Sequence, residues 1–141
     1  MPTRNASATW NGGLKEGNGS FKGSSGAIQG SYSFGTRFGD NPGTNPEELI
    51  AAAHAACFSM ALSAGLGSNG FKPQRVSTTA AVTIDKVEAG FKITKIKLTT
   101  EASVPGVDPK KFQEIATATK AGCPVSQALS AVPIELEAKL V

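Results

Sequence analysis

The two cysteines are the residues whose types and spacing say most about chemistry. Cys57 lies in an apolar stretch that begins at Asn45, and Cys123 stands between Gly122 and Pro124. The chain has no other cysteine, and its N-terminus shows no apolar export signal. A pair of cysteines in such a chain is more often redox-active or free than a permanent disulfide.

A reactive Cys57 needs a nearby cation, because a cysteine attacks as its thiolate and burial raises the pKa of a thiol. Cys57 lies twelve residues after Asn45. That is about 18 Å along a helix that rises about 1.5 Å per residue, too far for the helix N-terminus to lower its pKa. The candidate cations are Arg37, which stands among aromatic residues and glycines, and His54, which is one helical turn before Cys57.

These candidates also have simpler interpretations. His54 and Cys57 are compatible with a nucleophile pair, but no third residue orients them, so a core histidine with one hydrogen bond is favoured. Metal binding by His54, Cys57 and Cys123 lacks the paired CxxC ligands of most zinc sites. Arg37 fits an ordinary surface loop, and Glu47 fits a residue that interacts favourably with a helix dipole.

The elements that must position these residues follow from periodicity and capping. Asn45 and Pro46 begin an apolar helix that runs to about residue 65 or 67 and is expected to be buried all round. A second helix starts at Asp108-Pro109 and ends at Gly122, a short one follows Pro124, and residues 35–44 are expected to form a polar loop. Alternation predicts strands over residues 3–10, 31–34, 75–87, 91–103 and 134–140, with a bulge near Thr94-Lys95. This order predicts an α+β fold with antiparallel sheet.

Size and charge exclude several classes. The 141 residues predict a single domain, residues 1–141, with its own core. The formal net charge is +3, but the lysines are scattered, which argues against nucleic acid as a partner. No run of about 18 or more apolar residues appears, so no membrane span is expected and a cytoplasmic location is the default.

Three segments of the sequence resemble the OsmC/Ohr family, named for osmotically inducible protein C and organic hydroperoxide resistance protein. The segments are residues 44–50, residues 53–60 around Cys57, and residues 122–126 around Cys123. With His54 in the first cysteine motif and Arg37 shortly before it, the sequence is more similar to the OsmC branch than to the Ohr branch. The resemblance implies an OsmC-like fold, in which antiparallel sheet wraps around central helices in an intertwined homodimer.

The resemblance also implies a function. Family members are thiol-dependent peroxidases that reduce organic hydroperoxides, and hydrogen peroxide less well, in protection against oxidative and osmotic stress. It implies that Cys57 is the peroxidatic cysteine, that Cys123 resolves it as a Cys57–Cys123 disulfide, and that Glu47 holds Arg37. No cofactor and no metal are expected, and the resemblance implies a dithiol reductant, with lipoyl groups as one candidate.

Spacing gives an independent reason to expect a homodimer. Glu47 and Cys57 are ten residues apart, about 15 Å on one straight helix, which neither side chain can bridge. Two antiparallel copies of the helix that cross near residue 52 would bring residue 47 of one beside residue 57 of the other. The small side chains around that midpoint suit a close helix approach.

Two other functions stay open on the residues alone. One is a hot-dog-like acyl-thioesterase or acyl-binding module, in which the cysteines are incidental. The other is a redox sensor that forms the same reversible disulfide without catalytic turnover.

Overall fold

The structure, a computed structural model, describes residues 1–141 and contains two compact units. The first unit is Met1–Leu49 and the second is Ile50–Val141. Each unit contains one three-stranded sheet, and helices accompany both sheets. The α+β class predicted from the sequence is therefore observed.

The first unit is a meander followed by a short helix. Strands β1 (Ala6–Asn11), β2 (Asn18–Gly23) and β3 (Gln29–Tyr32) pair in antiparallel order. The prediction that the third strand reaches residue 34 was wrong, because Phe34 begins helix α1 (Phe34–Phe38). Ser33 and Thr36 form a reciprocal capping box, in which each side chain accepts a backbone N–H of the other residue. These local hydrogen bonds favour a helical turn where the sequence suggested a polar loop.

Helix α2 (Pro46–Ser68) begins where the capping residues predicted. The Asn45 side-chain oxygen accepts the Glu48 backbone N–H at 2.8 Å, and proline occupies the first helical position. The 23 residues of α2 are long enough and apolar enough to cross a membrane by length and composition alone. Inside the second unit, however, one stripe of this helix has no exposed surface at all, namely His54, Phe58, Leu62 and Leu66.

The opposite face of α2 is exposed, so the burial all round that the apolar sequence predicts is not reached within a single chain. Met60 retains 76% of its surface, and Ala52, Ala53, Ala56 and Ala64 are also exposed. Within the second unit a sheet and two helices supply only enough surface to cover one side of a helix. The apolar residues on the free side are therefore left uncovered in a single chain.

The second unit is a mixed sheet with helices. Strands β4 (Arg75–Val87) and β5 (Gly90–Ser103) form a long antiparallel pair. Their register shifts at Thr83/Ile84, so that Thr94, at the predicted bulge, is opposite no residue of β4 in the pairing. Strand β6 (Ile134–Leu140) pairs with β5 in parallel, not antiparallel as expected. The segment between β5 and β6 explains the parallel pairing. Helices α3 (Pro109–Gly122) and α4 (Pro124–Ala128) return the chain toward the beginning of β5, so that β6 runs in the same direction as β5.

The core of the second unit lies where α2 and α3 meet this sheet. The fully buried residues include Phe58 of α2, Ile96 and Leu98 of β5, and Phe112 of α3. Cys123, at the joint between α3 and α4, belongs to the same cluster. The core therefore fixes one cysteine directly and the other through its helix.

Candidate active site

The structure brings Cys57 and Cys123 together. Both cysteines are free thiols, Cys57 half-buried and Cys123 buried. The Cys123 side chain and the Val125 backbone lie close enough to Cys57 to influence the pKa of its thiol. Two reduced thiols in contact form a disulfide when one of them is oxidised. The two cysteines that the sequence singled out therefore form one dithiol site.

The surroundings of Cys57 in a single chain disfavour its thiolate. Burial is the largest influence and raises the pKa of the Cys57 thiol above its ordinary value. The Val125 backbone opposes this, as an N–H donor to a thiolate would, whereas Cys123 raises the pKa further. Neither of these neighbours is a cation, so the cation that the sequence argument requires is not among the groups that set this pKa.

Cys123 is fixed by both helices that it joins. Its backbone N–H donates to the Thr119 carbonyl at 2.9 Å and thereby closes α3. Its sulfur accepts the Ser126 backbone N–H at 3.3 Å and caps α4. Gly122, expected to end the helix as a cap, is its last helical residue, and the cap is the cysteine itself. The Cys123 sulfur is thus held in place before any oxidation.

His54 is a core histidine with one hydrogen bond, as the simpler interpretation predicted. It has no exposed surface, and its Nε2 lies 2.7 Å from the Ser126 hydroxyl oxygen. Its Nδ1 is buried without a hydrogen-bond partner. Burial lowers the pKa of His54, so the ring is neutral near pH 7.

Arg37 and Glu47 form a separate cluster in the first unit. Arg37 Nη2 lies 2.8 Å from Glu47 Oε1, and Arg37 Nε lies 3.2 Å from each carboxylate oxygen. Glu47 is only 6% exposed, whereas the Arg37 side chain retains 35% of its surface. The guanidinium also lies 5.1 Å from the centre of the Phe38 ring. Glu47 therefore orients an arginine that still has surface to offer a ligand.

A pocket of about 230 Å³ lies beside this arginine. Its lining is largely aromatic and aliphatic: Trp10, Leu14, Tyr32, Ser33, Phe34, Arg37 and Phe38. Trp10 and Tyr32 pack with their ring centres 5.5 Å apart. A cation at the edge of an apolar pocket suits a ligand that has an apolar body and a polar head.

Sequence reasoning missed Ser126 and the pocket. Ser126 stands three residues after Cys123, the spacing at which a capping residue meets the helix it caps, and this signal was available. The pocket combines β1, β3 and α1, and no periodicity indicates which strand lies beside which helix. For metal binding, no group of three or more His, Cys, Asp or Glu side chains is arranged to hold an ion.

The fold and the paired thiols define a known class, and the chain belongs to the OsmC-like protein family, which matches residues 39–137. Among curated proteins, peroxiredoxin OsmC of Escherichia coli is 57% identical over 125 residues, which cover 88% of this chain and 87% of that protein. The organic hydroperoxide resistance protein OhrB of Bacillus subtilis is 33% identical over 69% of this chain and 71% of its own. A solved organic hydroperoxide resistance protein from Elizabethkingia anophelis has a TM-score of 0.78 and 29% identity, covering 99% of this chain and 96% of that chain.

Proposed function

We propose that the chain is a thiol peroxidase of the peroxiredoxin type, which reduces organic hydroperoxides and, less well, hydrogen peroxide. The observation that carries the proposal is the pair of neighbouring reduced thiols, Cys57 and Cys123. The names of the relatives, peroxiredoxin and organic hydroperoxide resistance protein, support the same peroxidase-type role.

The proposed reaction has two steps on the protein. The Cys57 thiolate attacks the distal peroxide oxygen, the O–O bond breaks, an alcohol leaves after taking up a proton, and Cys57 becomes a sulfenic acid. The Cys123 sulfur then attacks the Cys57 sulfur, the S–O bond breaks, and water leaves as the disulfide forms. An external dithiol, of which a lipoyl-type group is one candidate, returns both thiols to the reduced state.

Arg37 is the proposed electrostatic partner of Cys57. A guanidinium beside the thiol stabilises the thiolate and the charge that grows on the leaving oxygen. Lowering a thiol pKa from about 8.5 to below 7 requires about 2 kcal/mol, a reasonable demand on one partly buried ion. Glu47 supports this role by holding the guanidinium at two points. The pocket next to Arg37 suits the apolar body of an alkyl hydroperoxide.

We infer that the site is completed in a homodimer. Glu47 and Cys57 are ten residues apart on the continuous helix α2, about 15 Å along its axis. The exposed face of α2 is apolar and includes Ala52, Ala53, Ala56 and Met60. Near the expected crossing point, residue 52, its side chains are small alanines. Two copies of this face packed antiparallel would bury it and present Arg37 with Glu47 of one chain to Cys57 of its partner.

Two further inferences concern the chain as a whole. Residues 1–141 work as one OsmC-like domain, since the family match crosses the border between the two compact units. The protein works in the cytoplasm, where reducing conditions regenerate the dithiol, without nucleic acid or membrane as a partner.

The test is hydroperoxide consumption by the reduced protein with lipoyl, glutathione and thioredoxin systems compared side by side. Turnover of an alkyl hydroperoxide with at least one dithiol system is expected, and Cys57→Ser should lose it. A protein that loses thiols stoichiometrically but does not turn over with any reductant would be a redox sensor. A protein that consumes no peroxide but cleaves acyl thioesters would be the hot-dog-like enzyme.

A further inference from the structure

The contacts of Cys123 continue beyond the dithiol to a buried histidine. The Cys123 thiol donates to the Ser126 hydroxyl oxygen over 3.1 Å, and that oxygen lies 2.7 Å from His54 Nε2. All three side chains are buried, with exposures of 1%, 3% and 0% in that order. The two contacts form a continuous hydrogen-bonded chain from the Cys123 sulfur through the Ser126 hydroxyl to the His54 ring.

We propose that Ser126 and His54 form a proton relay that removes the thiol proton of Cys123 while its sulfur attacks the Cys57 sulfenic acid. This inference rests on the proposed role of Cys123 as the resolving cysteine. It assigns a function to His54, which the peroxide-reducing step does not use. Ser126 contacts the reacting thiol, whereas His54 acts through Ser126 and is a positioning residue.

The direction of the hydrogen bonds suits proton removal. A hydroxyl has one proton to donate, so when Ser126 accepts from the Cys123 thiol, its own proton is directed to His54 Nε2. A neutral imidazole can accept there, and burial keeps His54 neutral because it lowers the pKa of the ring. The Ser126 backbone N–H also donates to the Cys123 sulfur at 3.3 Å and stabilises negative charge as it develops.

Atoms and electrons balance in this disulfide-forming step. The Cys123 sulfur supplies the electron pair of the new S–S bond and is oxidised, and the Cys57 sulfur is reduced as its S–O bond breaks. The thiol proton moves to the Ser126 oxygen while the Ser126 proton moves to His54 Nε2. The oxygen leaves as hydroxide, takes up the proton that the relay returns, and becomes water. No further oxidant or reductant is needed.

The partnerless nitrogen of His54 is a second, independent observation. With Nε2 as an acceptor, Nδ1 carries the ring proton and stays buried without a partner. A buried unsatisfied donor is rare and reduces stability, and such groups often mark functional positions. Here it has a chemical consequence, because an imidazolium with only one hydrogen bond returns its proton quickly.

The test separates the two steps by rapid mixing. Reduced protein is mixed with tert-butyl hydroperoxide, quenched at intervals with acid and a thiol-alkylating reagent, and its sulfenic and disulfide forms are measured by intact mass. In Ser126→Ala and His54→Gln we expect Cys57 oxidation to stay within about twofold of wild type, whereas disulfide formation slows about tenfold or more. Ser126→Thr keeps a hydroxyl and should restore most of the rate.

Two controls distinguish a relay from structural support. Ser59→Ala removes another side-chain hydrogen bond of α2, the one to Thr78 at 2.8 Å, and should change neither step. In D2O the disulfide step should slow about twofold or more in wild type but less in Ser126→Ala, since the variant has lost the relay.

Each contrary result has a distinct meaning. A disulfide step in Ser126→Ala and His54→Gln that equals the wild-type step would overturn the relay and leave the peroxidase intact. Equal slowing of both steps would mark general damage and would also overturn it. A wild-type protein that consumes peroxide without forming the Cys57–Cys123 disulfide would overturn the resolving role on which the relay rests.

Discussion

Arg37 and Glu47 meet within one chain, with Arg37 Nη2 at 2.8 Å from Glu47 Oε1, although ten residues separate them. The pairing depends on α1, which places the arginine in a helical turn before α2, and on the position of Glu47 in the first turn of α2. Arg37 therefore accompanies Glu47 wherever the N-terminus of α2 goes. If a site combines two chains, both residues come from the same one.

The Arg37→Met variant tests the electrostatic role. The substitution keeps a long side chain and removes the charge, so we expect the pKa of Cys57 to rise by about one unit or more. The peroxide-reducing rate at neutral pH should fall about tenfold or more, because less thiolate is present. Alkylation rate against pH measures the thiol pKa directly, and an unchanged pKa would remove Arg37 from the site.

Mixed dimers test the assembly. Cys57→Ser and Glu47→Ala subunits, each impaired alone, are mixed, unfolded and refolded together. If each site combines residue 47 of one chain with residue 57 of the other, a heterodimer holds one doubly altered and one intact site, so part of the activity returns. If the activity of the mixture does not exceed the residual activity of the Glu47→Ala sites, the whole site lies in one chain. Sedimentation at the working concentration provides the control, since a strictly monomeric protein would exclude the homodimer.

Cys123→Ser tests the resolving role. The first oxidation of Cys57 should proceed, but its sulfenic acid should persist and over-oxidise to the sulfinic acid with excess hydroperoxide. Mass spectrometry reports this as the addition of oxygen to Cys57. Normal turnover with a dithiol in this variant would show that Cys123 does not resolve the intermediate.

The wild-type disulfide should join two cysteines of the same chain, because Cys57 and Cys123 are neighbours there. Non-reducing electrophoresis after peroxide treatment should show monomers. A covalent dimer as the main product would move the resolving cysteine to the partner.

His54 should make the protein less stable in mild acid. Burial lowers its pKa in the folded state, whereas the unfolded chain binds a proton near its ordinary pKa of about 6.5. As the pH falls below that value, His54 binds a proton in the unfolded chain but stays neutral in the folded protein. The free energy of unfolding therefore decreases with falling pH until the pKa of the folded state is reached. The slope is at most about 1.4 kcal/mol per pH unit.

Urea unfolding at pH 7.5 and pH 5.5, at one protein concentration, measures the effect of His54 on stability. His54→Asn removes the titrating ring and should flatten the difference between the two pH values. A variant with the same difference as wild type would assign the acid sensitivity to other groups.

Much of the second unit could be predicted because its signals are local. Alternation predicted β4 and β5, and a change of phase at Thr94 marked the bulge. In the first unit, Asn45 and Pro46 likewise predicted the start of α2. The parallel pairing of β6 could not be predicted, since alternation gives the face of each residue but not the direction of the neighbouring strand. Helix α1 was missed because five residues are too few for a periodic signal.

The candidate site, too, was only partly predictable from the sequence. The Cys57–Cys123 contact followed from a resemblance that covers both motifs, and the structure brings the two thiols together. The hydrogen bond between His54 and Ser126 joins residues 72 positions apart, and nothing near either residue indicates the other. The apolar pattern of α2 does not tell whether the same chain or a second copy covers each face, and only the spacing of Glu47 and Cys57 pointed to a second copy.

The pocket beside Arg37 supplies its own optical signal. Trp10 is the only tryptophan of the chain, and it lines that pocket together with Tyr32 and Arg37. The indole emission of the whole protein therefore originates from a single ring at the edge of the pocket. An unreactive alcohol that enters it should change the intensity or wavelength of that emission. Ligand affinity can then be titrated without a dye, a label or any turnover.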